Sequence, residues 1–318
     1  MGPILVAVCT YERYALLDRT LAAVAAQQAP ALDWRLLVVD NSPDQARAEA
    51  ERARHGGTPR LDYRLESRPG IANARNVALR VAAEQGATLL AFVDDDAVPR
   101  PDWLARLVAG FDAPEVAAVA GRVDLDWPQP RPPWLHDLAL PYLSLVDWGP
   151  ARRDLGPAEW VACANLAFRV EALRAAGGFD SGLGRQGGGA TLVSNEESEA
   201  ILRLRRAGGR LVYAPDAIVA HLAHPERLTQ PWFRRRAAWQ AVSDYLADPA
   251  AARRRAAGAW REIRHYTRRL PWWRRGLASL EQEPADPRLF MKQLHAIYLL
   301  TLKQLAGLPR EGEGGQDA

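Results

Sequence analysis

The chain has 318 residues, 48% hydrophobic and 25% charged, which is ample for one large domain or for a domain with an appendage. Its net charge of +3 hides a split: residues 1–230 carry 25 basic and 29 acidic side chains, whereas residues 231–280 carry twelve arginines against three acidic residues. No run of about 18 apolar residues predicts a membrane span. The opening "MGPILVAVCT" has neither a basic n-region nor a cleavage site, and Val6 breaks the myristoylation pattern. Cys9 and Cys163, each in an apolar segment, read as buried thiols of a reducing compartment, so a cytoplasmic protein is expected.

In chain order, "ILVAVCT" (4–10) is a continuous apolar run, the pattern of a strand buried on both faces. The following segment spaces Leu17, Leu21 and Val24 at helical intervals. "WRLLVVD" reads as a second buried strand ending at Asp40, residues 44–55 as a helix, and "LDYRLE" as a third strand. "GIANARNVALRVAAEQG" places Ile71, Ala74, Ala78 and Val81 on one helical face, with Gly86 just past its end. "LLAFV" is the fourth strand. This alternation predicts βαβ units and a mostly parallel sheet flanked by helices.

The fourth strand runs into Asp94, Asp95 and Asp96. Three adjacent carboxylates repel one another and resist leaving water, so either a solvated turn or a bound cation accounts for them. In open α/β sheets, ligands bind beyond the carboxyl ends of the strands. Thr10, Asp40 and Asp94–Asp96 all follow such ends, which favours the cation. Carboxylate oxygens suit Mg²⁺ or Mn²⁺, ions that commonly bridge phosphates. No GxxxxGK loop occurs, and Lys292 and Lys303 are the only lysines, which excludes a P-loop kinase or ATPase.

Beyond residue 125 a Pro- and Trp-rich stretch reads as a long loop. "EWVACANLAFRVEALRAAGG" reads as strand then helix, and a glycine loop (184–189) leads to a helix that begins near Ser194 and Asn195. Either of these two residues can cap that helix, with Glu196 and Glu197 in its first turn. "RLVYAPDAIVAHLAHP" reads as one or two short strands. Asn165 either lines a ligand site or satisfies buried backbone, and Trp160 either stacks on a ligand or packs in the core.

The order of "VAVCTYER", "LLVVDNSPD", "GIANARNVAL", "LLAFVDDDAVP", "ACANLAFRVEAL", "SNEESEAILRLRRAGG" and "VAHLAHPERLTQPWF" resembles glycosyltransferase family 2, over about residues 3–235. The resemblance implies a GT-A (Rossmann-like) fold and an inverting, metal-dependent enzyme that uses a nucleotide-sugar donor, by family habit UDP-linked. Its acceptor would be a hydroxyl of a saccharide or lipid-linked saccharide in envelope or polysaccharide biosynthesis. It also implies roles. Thr10, Tyr11 and Glu12 would hold the nucleoside, Asp40 the base or ribose, and Arg75 the base and diphosphate. Asp96 would be the main ligand of Mn²⁺ or Mg²⁺, with Asp94 and Asp95 at the ribose and a metal-linked water, and His221 reaching the metal or diphosphate. Glu197 would deprotonate the acceptor hydroxyl beside Glu196. The family commonly has Asp at that base position. The longer Glu197 leaves room for Glu196 as the base, or for a non-catalytic relative that binds nucleotide or saccharide.

The expected organisation is a catalytic domain over 1–235, a basic helical extension over 236–306 and a disordered tail over 307–318. Arginine clusters interleaved with tryptophan in the extension suit an anionic membrane surface, which would make the protein peripheral at the inner face. No motif for nucleic-acid binding accompanies them, so no nucleic acid is expected as a partner.

Overall fold

The computed structural model describes residues 2–187, 191–267 and 280–307. These fall into two compact units. The first comprises residues 1–126, 144–190 and 196–222, and the second residues 127–143, 191–195 and 223–318.

The first unit is an α/β sheet. Strand β1 (Ile4–Thr10) is buried along its whole length, as a central parallel strand must be. It lies parallel to β2 (Trp34–Asp40) on one side and β4 (Leu89–Val93) on the other, and β3 (Leu61–Leu65) extends the parallel run from β2. Helices α1 (Tyr14–Ala25), α2 (Gln45–His55) and α3 (Ile71–Glu84) make the crossovers. Thr10 and Asp40 are register partners, so β1, β2 and β4 end on one edge.

Past β4 the sheet becomes mixed. Strand β5 (Ala97–Pro99) precedes α4 (Trp103–Val108) and β6 (Val116–Asp126). Strand β7 (Arg153–Asp154) is short, and β8 (Asn165–Arg169) runs antiparallel to both β4 and β6. Helices α5 (Val170–Ala175) and α6 (Glu196–Arg206) lead to β9 (Arg210–Leu222), one long strand where one or two short ones were expected. Strand β9 is parallel to β6, with a register shift at Gly121/Arg122. A Cβ at Gly121 would collide with the Asn165 amide and the Ala217 carbonyl, so only glycine lets these strands approach. The sheet order is β3-β2-β1-β4-β8-β6-β9-β5.

The second unit is helical: a 3₁₀ helix at Asp137–Leu143, then α7 (Gln230–Ala247), α8 (Pro249–Ala257), α9 (Ala259–Thr267) and α10 (Pro287–Ala306). Thr229 and Asp286 cap α7 and α10 through their side chains. Trp134 meets Phe233 and Phe290 edge-on, with ring centroids 5.7 and 5.1 Å apart. That packing places residues 127–143 in the second unit, so the two units interleave along the chain. Among the described residues no helix is long and apolar enough to cross a membrane. The expected tail beyond Gly307 and the Trp-Trp-Arg-Arg stretch at 272–275 lie outside the described residues.

Candidate active site

The site grows from the end of β4. Asp94–Asp96 form the turn between β4 and β5, and β5 then pairs antiparallel with β9, setting Ala97 opposite His221. The Leu222 N–H donates to the Asp96 carbonyl at 3.0 Å. This pairing carries His221 to the aspartates: its Nε2 is 3.1 Å from Asp96 Oδ1 and 3.8 Å from Asp94 Oδ2.

Asp94, Asp96 and His221 each offer one ligand atom, all within 4.8 Å of one another. Asp94 is half-buried, and its oxygens lie 3.8 Å from Arg75 and from His221, beyond hydrogen-bond distance of either. Two carboxylates and an imidazole fit Mn²⁺ or Mg²⁺.

Asp95 differs from its neighbours. It is 4% exposed and faces inward, accepting from Thr10 Oγ1 at 2.7 Å and from Arg13 at 3.3 Å. Burial, then the Asp96 charge, pushes its pKa up to about 7, against the pull of Arg13 and Thr10. Thr10 and Arg13 thus each engage one of the Asp95 oxygens. Thr10 in turn donates its hydroxyl to Asp95. Arg13 also donates to Asp96 Oδ2 at 2.8 Å, so one guanidinium spans two carboxylates.

Two further expected site residues are buried. Asp40 is fully enclosed: Oδ1 accepts from the Ser42 N–H at 2.9 Å and Oδ2 from Tyr63 OH at 2.8 Å. It closes the turn after β2. Asn165 is likewise fully buried, accepting from Trp103 Nε1 at 2.8 Å and donating to the Arg122 and Ala217 carbonyls at 2.7 Å. Its amide satisfies backbone beside the Gly121 register shift. Trp160 is partly buried against the core, and its carbonyl accepts from Trp148 Nε1.

Tyr11 is half-buried and Glu12 exposed; Glu12 takes a left-handed φ of 58° and donates its N–H to Ser42 Oγ. Arg75, expected at the base and diphosphate, is 5% exposed beside the Phe92 and Phe179 rings. Its guanidinium pairs with Glu196 and reaches to 3.8 Å from Asp94, so it links the β4 turn to the start of α6.

Glu196 and Glu197 open α6, where carboxylates complement the helix dipole. Glu196 is buried and ion-paired, whereas Glu197 is half-buried with an Oε2 that has no hydrogen-bond partner. Burial, then the Glu196 charge, raises the Glu197 pKa to about 8 against the pull of Arg75. Neither preceding residue caps α6 as expected. Asn195 has φ 77° and directs its amide to Asp244 and Gln240, while Ser194 Oγ bonds Asn195 and Ser243.

Sequence reasoning missed Arg13. The signal for Arg13 was its place three residues past β1, on the edge where the aspartates needed compensation.

A sequence profile described as glycosyl transferase family 2 matches residues 5–174. The chain is 27% identical over 252 residues to the glucosyl-dolichyl phosphate glucuronosyltransferase of Haloferax volcanii, covering 76% of each. It is 34% identical over 175 residues to the pre-mycofactocin glycosyltransferase of Mycobacterium tuberculosis, covering 53% of this chain and 33% of that one. Succinoglycan biosynthesis protein ExoM of Rhizobium meliloti is 29% identical over 233 residues, covering 73% and 70%. Among solved structures, the mannosyltransferase PcManGT from Pyrobaculum calidifontis, in complex with GDP-Man and Mn²⁺, matches with a TM-score of 0.59 at 22% identity. The match covers 97% of this chain and 88% of that one, a likeness of fold. Since the family profile spans more than half of a chain whose sheet is that of the GT-A glycosyltransferases, this protein belongs to glycosyl transferase family 2.

Proposed function

We propose that the protein transfers a sugar, with inversion, from a nucleoside-diphosphate donor to a hydroxyl of a saccharide or lipid-linked saccharide. The observation that carries this reading is the Arg75 bridge. Through it, Asp94 of the metal-type set and Glu196, next to the unpartnered carboxylate of Glu197, belong to one site.

In this reading Asp94, Asp96 and His221 hold Mn²⁺ or Mg²⁺. Such an ion, when bound, supplies positive charge to the diphosphate as it leaves. Arg13 keeps Asp96 oriented through Oδ2, which leaves Oδ1 turned toward His221. Arg75 fixes Glu196 and thereby the first turn of α6. Glu197 Oε2 takes the proton of the acceptor hydroxyl, and that oxygen attacks the anomeric carbon on the face opposite the diphosphate. A carboxylate with a pKa near the working pH suits a general base, and Glu197 is the better placed of the pair because Glu196 is held by Arg75.

The relatives' names, a dolichyl-phosphate-linked acceptor in one case and succinoglycan biosynthesis in another, support the acceptor class. The basic helical segment belongs to the same proposal as a contact for anionic lipid, and co-sedimentation with anionic vesicles at low salt tests that part. The first test of the whole is thermal stability with a panel of nucleoside diphosphates, each with and without Mn²⁺. A ligand at about 100 times its dissociation constant adds about 2.7 kcal/mol. Stabilisation by a nucleotide that needs the metal supports the donor site. No shift with any nucleotide moves the reading to a non-catalytic relative.

A further inference from the structure

The loop before α6 crosses the site at three fixed points. Gly184, at φ +85°, lies against the carboxylate of Glu196: a Cβ there would stand 3.1 Å from its Oε2 and 2.6 Å from Ile71 Cγ2. The Arg185 carbonyl accepts from the Ile71 N–H at 3.0 Å, which ties the loop to the start of α3, the helix that carries Arg75. At Gly187 a Cβ would stand 3.7 Å from Tyr11 OH. The half-buried Arg185 is thus held between Glu196 and Tyr11.

Its guanidinium is unlike the other two in the site. Arg13 holds Asp95 and Asp96, and Arg75 holds Glu196. The Arg185 guanidinium makes no hydrogen bond or ion pair with any described residue. Burial, then the like charge of Arg13, lowers its pKa, against Asp96, Asp94 and Glu196. A cation so placed gains most from an anion that arrives with the ligand.

We propose that Arg185 is a binding residue for the donor's diphosphate, its planar fork taking phosphate oxygens beside the Asp94–Asp96–His221 set. This rests on the donor reading above and adds to it the group that receives the leaving charge. Glycine at 184 fits the assignment, since a side chain there would push the loop off Glu196.

Isothermal titration of UDP and GDP, and of uridine and guanosine, each with Mn²⁺, tests it on the wild type, Arg185→Ala and Arg185→Lys. Mn²⁺ alone is titrated as well. Arg185→Ala should weaken the diphosphate that the wild type prefers by about ten- to hundredfold, the size of a lost hydrogen bond to a charged group. Arg185→Lys should recover part of that loss, and binding of the nucleoside and of Mn²⁺ alone should not change. Equal affinity of wild type and Arg185→Ala for the diphosphate overturns the proposal and leaves the donor reading standing. An equal loss for nucleoside or for Mn²⁺ overturns it too, since the effect is then structural. A wild type that binds neither diphosphate overturns the donor reading, and this assignment with it.

Discussion

Each unit has its own way of keeping carboxylates out of water. In the sheet unit, Asp94, Asp95, Asp96, Glu196 and Glu197 face Arg13, Arg75 and Arg185, an excess of two negative charges when all are ionised. Oε2 of Glu196 and Oε2 of Glu197 find no hydrogen-bond partner. In the helical unit, Asp244 is matched by neutral donors. Its Oδ1 accepts from Asn195 Nδ2 and Gln240 Nε2, each at 2.7 Å, and its Oδ2 from Tyr298 OH at 2.7 Å. Nothing further is needed there to satisfy the charge. The first cluster is short of positive charge and of donors, which a divalent cation and a hydroxyl acceptor would supply; the second is complete and serves the fold.

Substitutions in the two clusters should therefore fail in different ways. The largest effect is expected for Asp96→Ala, which removes the carboxylate shared by His221 and Arg13: calorimetric titration should show no Mn²⁺ binding, and turnover should vanish with it. Retained Mn²⁺ affinity would place the ion elsewhere.

Glu197→Gln should reduce turnover by roughly 10²–10⁴-fold, the usual contribution of a general base, with nucleoside-diphosphate affinity unchanged. Near wild-type turnover would remove Glu197 from the role and turn attention to Glu196.

The pH dependence follows from the same side chain. Its pKa is raised to about 8 from 4.5, so the free enzyme's kcat/KM should climb up to about pH 8 and level off above it. Stability moves the opposite way. The folded state holds this proton more tightly than the unfolded chain does. The contribution is fully present below the unfolded value and is lost as pH rises through about 8. Metal-free Glu197→Gln should then melt higher than the wild type at pH 8–9.

In the helical unit, Asp244→Ala should cost about 1–3 kcal/mol of stability by stranding its three donors, yet leave Mn²⁺ binding intact. Tyr298→Phe should cost only about 0.5–1.5 kcal/mol. Denaturant titration reads both. If Asp244→Ala abolished Mn²⁺ binding while the fold persisted, the contrast between a cluster awaiting ligands and a saturated one would break.

Much of the sheet was legible in the sequence because parallel strands buried on both faces must be continuously apolar, as β1, β2 and β4 are. Their order alone put Thr10, Asp40 and Asp94–Asp96 on one edge. It did not say which of them face outward. Asp40 looked like a ligand-facing strand end until Tyr63 and the Ser42 N–H closed over it. Asn165 could be read either way, and only the Gly121 register shift brings carbonyls onto its amide.

By itself, then, the sequence determined the family, the alternation of strands and helices, and the acidic turn after β4, because periodicity and motif order are local properties. Only the tertiary structure decided the composition of the site. It brought His221 to Asp96 through the β5–β9 pairing and turned Asp95 inward onto Thr10 and Arg13. It set Arg75 on Glu196 and left Arg185 without a carboxylate. Those outcomes depend on which charges meet at short range once the chain is folded, and residues far apart in sequence carry no local trace of that meeting.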